Sequence, residues 1–250
     1  MPIVVDRLTR TYGDFTAVDD LSFEVGSGEI VGLIGPNGAG KTTTLRSLAG
    51  ILRPTSGTVA IDGYNILGNA IEAKRRLAFM PDEPHLFEYL TVKEHLRLVA
   101  RLYGVGDLES RSGGLIEELE LSGKEQSLPG ELSRGMRQKV VIACGLIRDP
   151  SVLLFDEPLT GLDPIGIRRM RETIVARGRA GASVLVSSHL LHLVEEICTR
   201  VIIMDRGKKM ADGTVAELAS RADLAAAGSN LEQIFFRVTG RDPAPSEGQS

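Results

Sequence analysis

GPNGAGKTTT, Gly35 to Thr44, follows directly on the apolar run Ile30 to Ile34. A buried strand that runs into small residues, then a lysine and hydroxyls, has the pattern GxxxxGK(T/S) in its setting of strand, loop and helix. Glycines allow the tight turns and close approach such a loop needs. Backbone N–H groups and the positive end of the following helix then favour phosphate oxygens. This reading assigns Gly35, Pro36, Asn37, Gly38, Ala39 and Gly40 to the cradle and Lys41 to the outer phosphates. Thr42 is the expected Mg²⁺ ligand, because a hydroxyl oxygen suits a hard cation that keeps several waters. Thr43 supports the loop and the adjacent phosphate. The loop alone does not separate an ATPase from a GTPase, a kinase or a switch.

A second acidic element stands far downstream. VLLFDEP, Val152 to Pro158, ends a wholly apolar run suited to a central parallel strand. Asp156 at its end would reach Mg²⁺ directly or through water. Glu157 faces another way and is placed to orient or activate an attacking water.

Working outward, Ile3 to Thr11 and Leu21 to Val25 have strand patterning with a turn-rich connection, which predicts an antiparallel sheet. Lys41 to Leu48 is read as a helix closed by Gly50, and Thr58 to Ile61 as a strand. From Thr91 the period changes. Thr91 and Glu94 form a capping-box pair, and Val92, Leu96, Val99 and Tyr103 share one helical face. A second helical stretch lies within Asp107 to Leu121, and residues about 87–148 read as a helical insertion. Asp163 as N-cap and Pro164 at N1 start a helix to about Ala176, and Ser183 to Ser187 and Val201 to Met204 add strands. The expectation is an α/β fold: a phosphate-loop NTPase core with an antiparallel β subdomain and an inserted α-helical subdomain. Residues 1–220 form the nucleotide-binding domain in this reading, and 221–250 a C-terminal helix with a tail expected to be mobile from Arg241.

LSRGMRQK (Leu132 to Lys139), FDEP and SSH (Ser187 to His189) occur, with the phosphate loop, in the order found in ATP-binding cassette (ABC) proteins. The chain resembles that family from about residue 3 to 215. The resemblance implies a nucleotide-binding subunit of an ABC transporter, using ATP and Mg²⁺, on the cytoplasmic face of a membrane against separate permease subunits. Ser133 starts a helix to about Ile147, so its hydroxyl and nearby donors such as the Gly135 N–H suit an anion. By resemblance, this signature closes over the ATP of another subunit, in a homodimer or a dimer of paralogues. The resemblance also gives His189 a place at the γ-phosphate or beside Glu157 and the catalytic water. It makes Tyr12 the adenine platform, and puts Asp163 in the loop between the two composite sites. His192 has no motif and is read as surface.

Departures from the family pattern stand at Asp82, where glutamine is common, and at Arg134 and Met136, where glycine and glutamine are common. The Asp82 carboxylate would coordinate Mg²⁺ or be a plain loop acid; it cannot donate as an amide does. Arg134 would add positive charge near phosphate, while Gln138 and Lys139 are read as facing solvent. PDEPHLFEYLTVKEHL, the signature and LEQIFFRVTG most resemble the exporter branch, which handles drugs, antibiotics, lipids or ions.

The 250 residues carry a net charge of −4, which gives no basic field of the kind free nucleic acid needs, so nucleic acid is disfavoured as a partner. Cys144 and Cys198 stand alone, without a metal or disulfide pattern. MPIVVDRLTR is not a secretory signal in this reading. The longest apolar run, Val140 to Ile147, is far below the ~20 residues of a membrane span. Two other function classes share parts of this pattern. A non-transport ABC ATPase acting on ribosomes or DNA often joins two cassettes or carries a coiled-coil insertion, and neither is present. A GTP switch or kinase leaves the signature unexplained, and no guanine-reading NKxD follows.

Overall fold

A computed structural model describes residues 1–222 and 230–241. The chain begins with β1 (Ile3–Tyr12) and β2 (Phe15–Val25), then β3 (Ile30–Ile34), α1 (Lys41–Leu48), β4 (Ser56–Ile61) and β5 (Tyr64–Asn65). Next come α2 (Ala70–Arg76), β6 (Leu77–Met80), α3 (Val92–Tyr103), α4 (Leu108–Glu118) and α5 (Arg134–Leu146), the last preceded by a 3₁₀ turn at Pro129–Glu131. The remainder is β7 (Val152–Asp156), α6 (Pro164–Arg179), β8 (Ser183–Ser188), α7 (Leu191–Ile197), β9 (Arg200–Asp205), β10 (Lys208–Gly213), α8 (Val215–Arg221) and α9 (Leu231–Thr239).

Two sheets result. One is four-stranded and antiparallel, in the order β2-β1-β4-β5, and the other is six-stranded, in the order β10-β9-β3-β8-β7-β6. In the second sheet β9, β3, β8, β7 and β6 run parallel and only β10 is antiparallel. Strands covered on both faces need apolar residues at every position, not every second one. Accordingly every residue of β3 and β7 is buried. Gly32 at the centre of β3 is required by close packing, since a Cβ there would stand 2.4 Å from Val194 of α7.

One core cluster packs α3, α4, α5 and α6 against one face of the parallel sheet, with Leu96, Leu119, Val140, Phe155 and Ile174 among its buried members. A second fills the space between the two sheets and α1. The third joins α7, α8 and α9 to β3 and β9. Cys144 and Cys198 pack against these cores, and burial pushes both thiols up to about 12.

The capping box expected at α3 is present: Thr91 Oγ1 accepts from Glu94 N, and the Glu94 carboxylate accepts from Thr91 N. The expected face fails at its last turn. Tyr103 is 43% exposed and carries the Arg148 guanidinium over its ring, while the buried face includes His95. His95 Nε2 accepts from Phe87 N at 2.9 Å, which satisfies a polar ring inside an otherwise apolar face.

Other differences have local causes. The first strands form a hairpin with only Gly13 and Asp14 between them, instead of a longer connection. α6 runs on to Arg179, three residues past the expected end. α2 and β10 escape periodicity because α2 buries only Ala73 and β10 is an edge strand with exposed lysines. Arg241, expected to begin a mobile tail, pairs with Asp205 at 2.7 Å; residues 242–250 lie outside the described residues.

Leu96→Ala, which opens a cavity under α3, should lower unfolding stability by about 2–5 kcal/mol, whereas Leu102→Ala on the exposed face should stay within about 0.5 kcal/mol. Urea titration of the two variants checks which face of α3 is buried.

Candidate active site

The site follows from strand register. β3, β8 and β7 are adjacent and parallel, with Ile34 opposite Ser188 and Asp156 opposite Ser187. Their carboxyl ends therefore deliver Gly35–Thr43, Ser187–His189 and Asp156–Glu157 to one place, the edge where open parallel sheets bind ligands.

The loop is built as its glycines imply. Gly40 has φ +103, and a Cβ there would meet the Ala17 carbonyl oxygen at 2.4 Å, so only glycine fits. No side chain caps Gly40, and the first N–H groups of α1 lack intrahelical partners, leaving them to the loop's concave side. Lys41 is buried and donates from Nζ to the carbonyl oxygens of Gly35 (2.7 Å) and Pro36 (3.3 Å). The same Nζ lies 3.8 Å from Glu157 Oε1. Burial pushes the Lys41 ammonium below the usual lysine range, and the Glu157 and Asp156 carboxylates pull it partly back.

Asp156 is 1% exposed at the end of β7. Its Oδ1 accepts from Ser187 Oγ (2.6 Å) and Thr42 Oγ1 (3.1 Å), so a loop hydroxyl and a strand carboxylate meet as hard oxygen donors. Glu157 takes another direction because its backbone is left-handed, with φ +49. Its N–H donates to Ser187 Oγ (3.1 Å), and Oε2 accepts from the His189 N–H (3.3 Å) with His189 Nδ1 at 2.9 Å. A non-glycine residue in that region costs of order 1 kcal/mol and marks a geometry imposed by its surroundings.

A cleft of about 300 Å³ opens over these groups, lined by Phe15, Ala17, Asn37 to Thr43, Asp82 and Glu157. Tyr12 is absent from that lining; its ring lies under the Arg10 guanidinium at 4.5 Å, and its cross-strand neighbour Phe15 faces the cleft. Sequence reading passed over Phe15, although it stands three residues along in RTYGDF. Ser187, quoted as part of a motif without a task, proves to join Asp156 to the Glu157 backbone.

Asp82 reaches the cleft, with Oδ1 bonded to Arg134 Nη2 at 3.0 Å. Among the described residues no trio of histidine, cysteine or acidic side chains forms a metal cluster. Ser133 caps α5 by accepting from Met136 N (3.2 Å), and neither Ser133 nor Gly135 lines the cleft. Asp163 caps α6 through Gly166 N, and His192 is exposed. Gln138 and Lys139, expected at the surface, are 2% and 8% exposed. Gln138 Nε2 donates to the Pro81 carbonyl and Lys139 Nζ to Glu120, while Gln138 Oε1 is buried without a partner among the described residues.

The ABC transporter family model matches residues 18–160 of this chain. The chain belongs to that family. It is an ATP-binding subunit and an ATPase of the ABC type. The ABC-type transporter ATP-binding protein EcsA of Bacillus subtilis is 34% identical over 240 residues, 95% of this chain and 96% of the relative. Nod factor export ATP-binding protein I of Ralstonia nicotianae is 39% identical over 216 residues, 86% of this chain and 67% of the relative. A solved ATP-binding subunit of an ABC transporter superposes with TM-score 0.91 at 34% identity, covering 96% of this chain and all of that one. A dimeric ATP-binding cassette bound to ADP and Pi, at 24% identity and TM-score 0.80 over 85% of this chain and 98% of that one, shares the fold.

Gly40→Ala should distort the loop and weaken ATP binding by about tenfold or more, since the displaced backbone carries the phosphate donors. Isothermal calorimetry with ATP measures it.

Proposed function

We propose that this subunit hydrolyses ATP to drive export through a separate membrane permease, acting as one half of a nucleotide-bridged dimer. The observation that carries the chemistry is the meeting of Lys41, Asp156, Glu157 and His189 at three neighbouring strand ends. Gly35 to Gly40 cradle the phosphates through backbone N–H groups, Lys41 meets the outer phosphate charge, and Thr43 supports the loop. Thr42 and Asp156 would hold Mg²⁺, for which a hydroxyl and a carboxylate 3.1 Å apart are a fitting donor pair. Bound there, the cation neutralises charge on the phosphates. Asp82 is left to Arg134 in this assignment.

Glu157 is the general base. As a water oxygen bonds to the γ-phosphorus, Glu157 accepts the water's proton and ADP leaves with the electrons of the broken bond. His189 donates to the Glu157 carboxylate and fixes its direction. The nucleobase is met by Phe15, which faces the cleft, with Tyr12 beside it across the hairpin.

Ser133 and the Gly135 N–H point to the dimer. They sit at an exposed helix start outside their own chain's cleft, so they are free to meet the triphosphate of a second copy. Loss of the γ-phosphate weakens that bridge, which is how turnover becomes motion. No helix among the described residues is long and apolar enough to cross a membrane, and a separate permease would supply the pathway. Relatives that serve Nod factor export favour export as its direction.

Glu157→Gln should keep ATP affinity, lower turnover by about a hundredfold or more, and prolong the dimer on ATP. Steady-state hydrolysis with size-exclusion chromatography measures both, and undiminished turnover removes Glu157 from the chemistry. Affinity purification of the full chain from gently solubilised membranes should bring down an integral membrane protein; recovery of ribosomes instead favours a non-transport ABC ATPase.

A further inference from the structure

Two departures from the common family residues, Asp82 and Arg134, are each other's partner. They lie 52 positions apart, and Arg134 Nη2 donates to Asp82 Oδ1 at 3.0 Å. One turn along the same face of α5, Gln138 Nε2 donates to the carbonyl oxygen of Pro81 at 2.9 Å. The 81–82 segment is thus fastened to α5 by two side chains at i and i+4. The arginine stem also lies across Gly161, where a Cβ would stand 3.6 Å from Arg134 Cδ.

The pair is about half exposed, at 52% and 44%, so it adds little to folding stability. Its position has a stronger consequence. Asp82 lines the cleft shared by the phosphate loop and Glu157. A bare carboxylate on the wall of a pocket for a polyanion repels the ligand, and an adjacent guanidinium cancels that field.

We propose that Arg134 is a positioning residue for ATP in its own chain: it neutralises Asp82 at the cleft and fixes the Ser133 end of α5 against the 81–82 and 161–162 segments. This rests on the cleft being the ATP site, as proposed above. Arg134 is tied here to the chain's own nucleotide, whereas the neighbouring Ser133 serves the nucleotide of the second copy.

The test is a double-mutant cycle on the full chain, with ATP affinity read by calorimetry in EDTA, so that cation ligation by Asp82 does not enter. Arg134→Gln, which leaves Asp82 uncovered, should weaken ATP by about fivefold, and the loss should shrink in high salt. Asp82→Asn should bind ATP at least as well as the wild type. The combination Asp82→Asn with Arg134→Gln should return to within about twofold of the wild type, because no uncovered charge remains. Arg134→Lys should rescue most of the loss.

Thermal midpoints should agree across the set, which separates the effect from misfolding. A double variant as weak as Arg134→Gln, a salt-independent loss, or unchanged affinity in Arg134→Gln overturns the proposal. A wild-type chain that binds no ATP overturns the reading of the cleft itself, and this proposal with it.

Discussion

A carboxylate buried to 1% exposure at the end of β7 sets the terms for everything around it. Asp156 cannot rely on solvent, so its charge must be met by donors built into the fold, and Ser187 and Thr42 supply them. Each donor arrives on a different element, one on β8 and one at the start of α1. The register of β3, β8 and β7 is therefore tied to the position of the phosphate loop, and a slip in either would strand the carboxylate without partners.

The same serine extends the constraint by one residue. Ser187 also accepts the Glu157 N–H, at the point where the backbone turns left-handed and sends that side chain towards Lys41 and His189. Two neighbouring acids thus acquire different surroundings from a single backbone bend. Asp156 is enclosed with hydroxyls, while Glu157 stands at the cleft beside an ammonium and an imidazole. Division of labour between them is a property of the chain path before any ligand enters.

Much of this was legible because local sequence and tertiary demand agree. The apolar runs of β3 and β7 announce central parallel strands, and Gly40, Lys41 and Thr42 announce the loop. Thr91 with Glu94 and Asp163 with Pro164 announce helix starts. What escaped is decided by contacts between distant segments. Nothing in RTYGDF says that Phe15, not Tyr12, faces the cleft; that follows from hairpin register and from Arg10 covering the tyrosine. Gln138 and Lys139 looked solvated because charge and amide are polar, yet Pro81 and Glu120 across the fold give the amide nitrogen and the ammonium partners in the interior. The exposed faces of α2 and β10 carry no periodic signal at all.

The two sulfur atoms complete the picture from an unexpected side. Burial pushes both thiols up to about 12, which disfavours the anionic form that attacks disulfides or peroxides at neutral pH. Both thiols are therefore slow nucleophiles. A cysteine placed on the surface by engineering would stand out as the one fast-reacting handle for a spectroscopic label.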